Sequence, residues 1–313
     1  MNKEKIYKDK RYIVLIAIIA TLLWGSAYPS IKVGYSLYNI SQNDIGGKLL
    51  FAGYRFLLAG LFVLIYEIIF RKKSIKISKI ELKEVTILGL LQTSFQYLFF
   101  YVGMAYTLGS IGSILNSIGT FVSIILAHFI YKNDKIDNRK ILGCIVGFIG
   151  ILLVNIDSGT SISLKFSFLG EGFIIIAAVL SSISSIYSKK ITKNKSASLV
   201  TGYQLSIGGF ILIVSGYLYG GKLNNISING IVLLIYMALL SSVAFGLWSQ
   251  LLKYNKISTI SVYNLLIPIF GTLLSGIILK ENILSFNRII SLVFVTLGIY
   301  LVNFKRSQSI YDK

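Results

Sequence analysis

Ten runs of about twenty residues, almost free of charge, divide this chain, near 12 to 35, 49 to 70, 85 to 106, 111 to 131, 139 to 156, 169 to 188, 198 to 219, 230 to 252, 260 to 279 and 286 to 304. Each is about as long as a helix must be to cross the hydrocarbon core of a bilayer. Composition agrees: 55% of residues are hydrophobic, 14% are charged, and twenty-eight glycines stand against two prolines. The mean hydropathy of +0.75 lies far outside the range of soluble domains. The expected fold class is an all-α integral membrane protein with ten transmembrane helices.

A net charge of +19 would suit a nucleic-acid partner, but the placement of the cations argues against one. The segments up to Arg11, Arg71 to Lys83, Lys132 to Lys140, Lys189 to Lys195, Lys253 to Lys256 and the tail hold twenty-four of the thirty-one lysines and arginines. The alternate loops hold only Lys48, Lys165, Lys222, Lys280 and Arg288. This is the positive-inside bias, and it predicts a multi-pass protein of the plasma membrane with both termini cytoplasmic. A missed or invented helix would invert the alternation, and no inversion occurs. The N-terminal basic segment resembles a signal peptide, yet its apolar run continues without a small-residue cleavage site and reads as the first helix.

The chain also repeats itself. Asn116 to Asn155 lies on Asn264 to Asn303 without gaps at an offset of 148, with ten of forty positions identical. Apolar matches come cheaply, so the matches at Asn116, Lys132, Gly150 and Asn155 carry most of the weight. The expected units are residues 1–157 and 168–313, five helices each. Because five is odd, the second unit enters the membrane from the opposite face, giving two inverted repeats of the kind that rock about a midplane site.

Trp24-Gly25-Ser26 followed by Lys32, Arg55-Phe56 with Ala59, Leu169-Gly170-Glu171 and Lys280-Glu281 occur in that order. In this the chain resembles the drug/metabolite transporter superfamily, in its ten-helix branch with two EamA-type domains. One departure is visible: the family's Gly-Glu pair after the fourth helix is replaced by Lys132-Asn133, which weakens any role for that position. The resemblance implies a secondary transporter with a cavity formed mainly by helices 1, 3, 4, 6, 8 and 9. It also implies a small metabolite as substrate, often an amino acid moved outward. One fold hosts many specificities, so the resemblance names no substrate.

Polar residues inside the runs supply candidates for the site. Ionisable groups in hydrocarbon are costly and face a cavity or a partner. Arg55 could pair with Glu171 or hold a substrate carboxylate through its planar fork. Lys32 can snorkel to the outer interface. Glu171 is the candidate for proton coupling, although at the start of a helix it also complements the dipole. Glu67, four residues before Arg71, reads as a surface pair. Gln92, Gln96, Tyr97 and Tyr101 share one broad face of the third helix. With Trp24, Asn116, Trp248 and Asn264 they could line an aromatic pocket with a few fixed hydrogen-bonding groups. Pro29 and Pro268 interrupt the first and ninth helices and could act as hinges or free backbone acceptors. Gly143, Gly147 and Gly150 form a small-residue face for close helix packing, or alternatively for a second subunit.

Enzymatic readings find little support. One histidine, His128, and one cysteine, Cys144, cannot build a metal cluster, a disulfide or a Cys/His dyad. Gly216 to Lys222 resembles a Walker A loop only until Leu223, which replaces the magnesium-binding hydroxyl. No cofactor, metal or nucleic acid is therefore expected, and transport must be gradient-driven or passive. The partners are a small-molecule substrate and the bilayer, with the chain a monomer or a homodimer. The expected function is alternating-access export of a small metabolite; a lipid flippase is the alternative, for which the basic cytoplasmic loops would attract anionic headgroups.

Overall fold

A computed structural model describes residues 7–72, 74–132, 134–153, 166–282 and 286–303. Asn133, Asn155 and Lys165 lie outside the described residues, as do the side chains of Arg288 and Asn303. Among the described residues the chain is helical throughout, without strands. Eight helical rods are long and apolar enough to cross a membrane: α1 (Lys10–Leu37), α2 (Ile45–Ile69), α3 (Lys79–Tyr106), α4 (Gly109–Ile130), α6 (Phe168–Thr192), α7 (Ala197–Leu218), α8 (Ile228–Tyr254) and α9 (Ile257–Leu279). Two shorter helices complete the set, α5 (Asn138–Leu153) and α10 (Phe286–Asn303).

Helix starts follow from local chemistry. Asp44 accepts a hydrogen bond from the Gly47 amide to open α2, Ser227 does the same for α8 from Gly230, and Ser78 with Glu81 forms a capping box on α3. α3 and α6 each contain a π-helical turn, Leu90–Phe95 and Phe168–Gly172. α9 passes through a 3-10 turn at Val262–Leu265 just before Pro268.

The surface is apolar and the interior carries the polar groups. Phe129, Ile228 and Leu218 are 75%, 81% and 82% exposed, whereas Arg55 is 1% exposed. In water such an arrangement would be unstable; in lipid it is the expected one.

Close backbone contact holds the helices together. α2 carries Gly46, Gly53 and Gly60, and α7 carries Gly202, Gly209 and Gly216, each series at intervals of seven. The two ladders meet antiparallel. A Cβ at Gly53 would stand 2.9 Å from the Gly209 carbonyl oxygen, one at Gly60 2.6 Å from that of Gly202, and one at Gly216 2.9 Å from that of Gly46. Such small-residue seams drive helix association where lipid offers no hydrophobic gain. α5 and α10 meet similarly: Gly298 abuts Gly143 and Gly147, while Gly150 abuts Ser291, Phe294 and Val295. The glycine face of α5 is thus used within the chain. Gly216 and Gly221, from the Walker-like stretch, pack on Leu50 and Gly46.

The remaining principal pairings are α1 with α8 and α9, α6 with α3 and α4, α2 with α8, α7 with α3, and α4 with α9. Exchanging each helix with the one five places along leaves this set of neighbours unchanged.

The glycine seam generates a paired test. A Cβ at Gly209 would lie 2.4 Å from the Leu57 nitrogen, whereas one at Gly246 meets no heavy atom within 4 Å. Gly209→Ala should cost about 1–3 kcal/mol by overpacking, while Gly246→Ala should be neutral or stabilising by up to about 1 kcal/mol. Thermal unfolding of both variants in detergent measures the difference; equal melting temperatures would refute the seam.

Candidate functional site

A cavity of about 80 Å³ lies where α1, α2, α3, α4, α6, α8 and α9 converge. α1 contributes Trp24 and Tyr28. The π turn in α3 and the residues after it present Gln92, Gln96, Tyr97 and Phe100. Thr93 and Ser94 in that turn are tied to α7, Thr93 Oγ1 donating to Gln204 Oε1 at 2.7 Å and Ser94 Oγ to the Gly208 carbonyl at 3.1 Å. The two side chains anchor the turn and leave Gln92 and Gln96 facing the cavity.

Arg55 reaches the cavity from α2, held by Nε to Ser241 Oγ at 2.8 Å and Nη1 to the Tyr101 hydroxyl at 3.0 Å. Its guanidinium carbon lies 4.8 Å from the Phe56 ring centre and 6.0 Å from that of Tyr97, positions favourable for cation–π attraction. Among the lining residues it is the single charged group. The anticipated pair with Glu171 does not form. Glu171 instead accepts from the Ser167 amide at 2.7 Å and from Thr107 Oγ1 at 2.9 Å, closing the start of α6. The first turn of a helix has unpaired amides that draw a carboxylate, and Glu171, although buried, is absent from the cavity wall.

Eight of the nine residues anticipated for a substrate site line this one cavity: Trp24, Arg55, Gln92, Gln96, Tyr97, Asn116, Trp248 and Asn264. Tyr101 stands behind Arg55 instead of on the wall, its hydroxyl accepting from Nη1. Asn116 and Asn264, equivalent in the repeat, enter from α4 and α9. Trp24 packs edge-on to Trp248 at 5.1 Å and to Phe245 at 5.3 Å. Three polar atoms on this wall, Trp24 Nε1, Gln96 Oε1 and Asn264 Oδ1, are buried without a hydrogen-bond partner. Each such atom costs about 1–3 kcal/mol while it stays unmade.

Sequence reasoning missed the serine row of α6. Ser181, Ser182 and Ser185 line the cavity, and their spacing of one helical turn was the available signal. Tyr28, Ser123 and Phe245 were missed as well.

Pro29 and Pro268 are buried within α1 and α9. Each removes the donor that would have met the carbonyl four residues earlier, at Gly25 and at Asn264. Other ionisable groups are structural. Glu67 is fully buried, so its 2.6 Å bridge to Arg71 is not the surface pair expected. His128 Nδ1 accepts from the Ile136 amide at 2.9 Å. Lys32 is half-buried in the last third of α1 and is absent from the cavity wall.

Carboxylates also fasten α4 and α9. Glu281 accepts from the Gly109 and Ser110 amides at 2.9 and 3.0 Å and from Ser110 Oγ at 2.6 Å. Asp134 accepts from the Ser258 amide at 3.1 Å and from Ser258 Oγ, with Lys140 Nζ at 3.3 Å. Burial, and secondly the Asp134 carboxylate, push the Tyr131 phenol above its ordinary pKa. A carboxylate does therefore follow the fourth helix, one residue beyond Asn133.

An EamA-like transporter family model matches residues 11–156 and 168–304. The chain belongs to the EamA-like transporter family. An uncharacterized transporter of Archaeoglobus fulgidus is 27% identical over 95% of this chain and 100% of its own length. YetK, an uncharacterized transporter of Bacillus subtilis, is 23% identical over 98% and 96%. A WAT1-related chloroplastic protein of Arabidopsis thaliana is 22% identical over 92% and 69%. A solved structure shares the fold with a TM-score of 0.71, covering 94% of this chain and 96% of that one at 14% identity. Family and helices together make this EamA-like chain a multi-pass membrane protein related to transporters.

The capping role of Glu171 is testable by stability. Glu171→Ala should lower the unfolding free energy by about 1–2 kcal/mol by leaving the Ser167 amide and the buried Thr107 hydroxyl without their acceptor, read as a lower melting temperature in detergent. An unchanged melting temperature would rule the cap out.

Proposed function

We propose that this EamA-like protein is a secondary transporter for a small metabolite bearing an anionic group, of which an amino acid is the simplest example. The observation that carries the reading is Arg55: a buried cation on the wall of a cavity whose lining holds no carboxylate. Burying a charge without a counter-ion costs several kcal/mol, and a substrate carboxylate would offset that cost through a bidentate fork. The unpartnered Trp24 Nε1, Gln96 Oε1 and Asn264 Oδ1 offer one donor and two acceptors for the rest of such a molecule. At about 80 Å³ the cavity is well below the roughly 300 Å³ and more that drug-sized ligands occupy. Size and charge together disfavour a bulky cationic drug.

Mechanistically, we infer ten membrane-spanning helices in two inverted halves that rock about the cavity and expose it to each side in turn. The unchanged set of helix neighbours on exchanging the halves supports this, as does the meeting of Asn116 and Asn264 at one cavity. Pro29 and Pro268, within the two helices on either side of it, each leave a carbonyl without its helical donor and so offer places to bend. The loop charges favour cytoplasmic termini in the plasma membrane, and export is the direction that the family resemblance implies.

A thermal-shift screen of purified protein against amino acids, sugars, nucleosides and cationic drugs should find stabilisation by carboxylate-bearing compounds; stabilisation by cations alone would refute the reading. With such a ligand, Arg55→Ala should weaken binding about ten-fold or more, and Trp248→Ala should impair transport while membrane insertion persists. Trp24→Phe should weaken binding a few-fold without loss of stability, because the lost N–H has no partner in the protein. Proton coupling through Glu171 predicts that Glu171→Gln abolishes the pH dependence of transport in proteoliposomes; an unchanged profile would exclude it.

A further inference from the structure

The two carboxylate contacts on α4 and α9 are related by the repeat. Ser110 and Ser258 stand 148 positions apart, the offset that superposes the two halves. Each opens its helix, and each is held by a carboxylate that follows the last turn of the equivalent helix in the other half. Glu281, after α9, holds Ser110; Asp134, after α4, holds Ser258. α4 and α9 therefore run antiparallel and are pinned to one another at both ends. Between the pins lie the cavity residues, Asn116 to Ser123 on α4 and Asn264 to Ile267 on α9.

The two pins share a core: each carboxylate accepts both the amide and the hydroxyl of its serine. Glu281 adds the Gly109 amide at 2.9 Å, and Asp134 adds Lys140 Nζ at 3.3 Å. At the first pin the backbone is forced: Lys280 takes the left-handed conformation, φ 55°, which turns the chain so that Glu281 returns over the α4 terminus. A non-glycine residue in that conformation is uncommon and mildly strained.

We propose that Glu281–Ser110 and Asp134–Ser258 are two latches at opposite ends of the transport cavity, both closed in this structure, and that opening toward either face breaks one while the other holds. The assignment rests on the transport reading above. It gives functional residues that lie outside the cavity, and it explains a carboxylate at 134: the one-residue slip from the position matching Glu281 is made up by the loop, and the serine hydroxyl and amide are both satisfied. Charge-assisted hydrogen bonds of this kind are strong enough to hold a two-state element closed and weak enough to break within a transport cycle.

The test is access from each side. Ser181→Cys, on the cavity wall, in a Cys144→Ser background, is labelled with a membrane-impermeant maleimide in right-side-out and in inside-out vesicles. Glu281→Ala should raise the labelling rate about ten-fold or more from one face only, and Asp134→Ala from the opposite face only. Ser110→Ala and Ser258→Ala, which keep the backbone contact, should act in the same directions to a smaller extent and guard against misfolding of the stronger variants. Both carboxylate variants acting at one face, or neither changing access in protein that remains monodisperse, would overturn the latches. Labelling of the Ser181→Cys parent from one face alone would count against alternating access itself, a result separable from the direction of the variants' effects.

Discussion

Two helix backbones can touch only where neither carries a side chain, and the contact between α2 and α7 is built on that condition. Lipid is as apolar as leucine, so helices gain little by hiding apolar surface from it; what holds them together is close fit. The glycine ladders allow that fit over most of α2. They also fix what α2 shows to the rest of the protein. Arg55 is two residues past Gly53, about 200° around the helix, so the face that meets α7 and the face that carries the guanidinium are nearly opposite. Seating the glycines turns Arg55 inward, onto Ser241 of α8 and Tyr101 of α3.

Much of the cavity could be read from sequence because the bilayer enforces a simple rule. A polar group within a long apolar run must face away from lipid, and when several helices each carry one or two, those groups converge. Trp24, Gln92, Gln96, Asn116, Trp248 and Asn264 meet for this reason. Tyr101 followed the rule too, but its partner is the arginine and not the open space. The apolar runs themselves located the helices, although the described parts of the fifth and tenth are shorter than their runs.

What escaped the sequence depends on the path of the backbone. The π turn in α3 shifts the register of everything after it, and no residue between Leu90 and Phe95 announces that an extra residue is taken up there. Glu67 looked like a surface residue by its place near the end of a span, yet the packing buries it. The slip from Asn133 to Asp134 hid a carboxylate from a gap-free comparison, since an alignment counts positions while a hydrogen bond depends only on where an oxygen lands. The sevenfold glycine spacing was visible in the letters, but its meaning needs the partner helix, which lies about 150 residues away in the chain.

The unbalanced charge of Arg55 has an electrical consequence. A carrier that reorients with an empty cationic cavity moves positive charge within the field of the membrane, a step that responds to voltage with up to about 2.3 kcal/mol per 100 mV for a charge crossing the whole field. Filled by a substrate of net charge −1 the same cavity would be neutral and its movement indifferent to voltage, whereas a zwitterionic amino acid would leave it cationic. On the transport reading proposed above, the net charge of the substrate, set against one buried guanidinium, would decide which half of the cycle a cell can drive electrically.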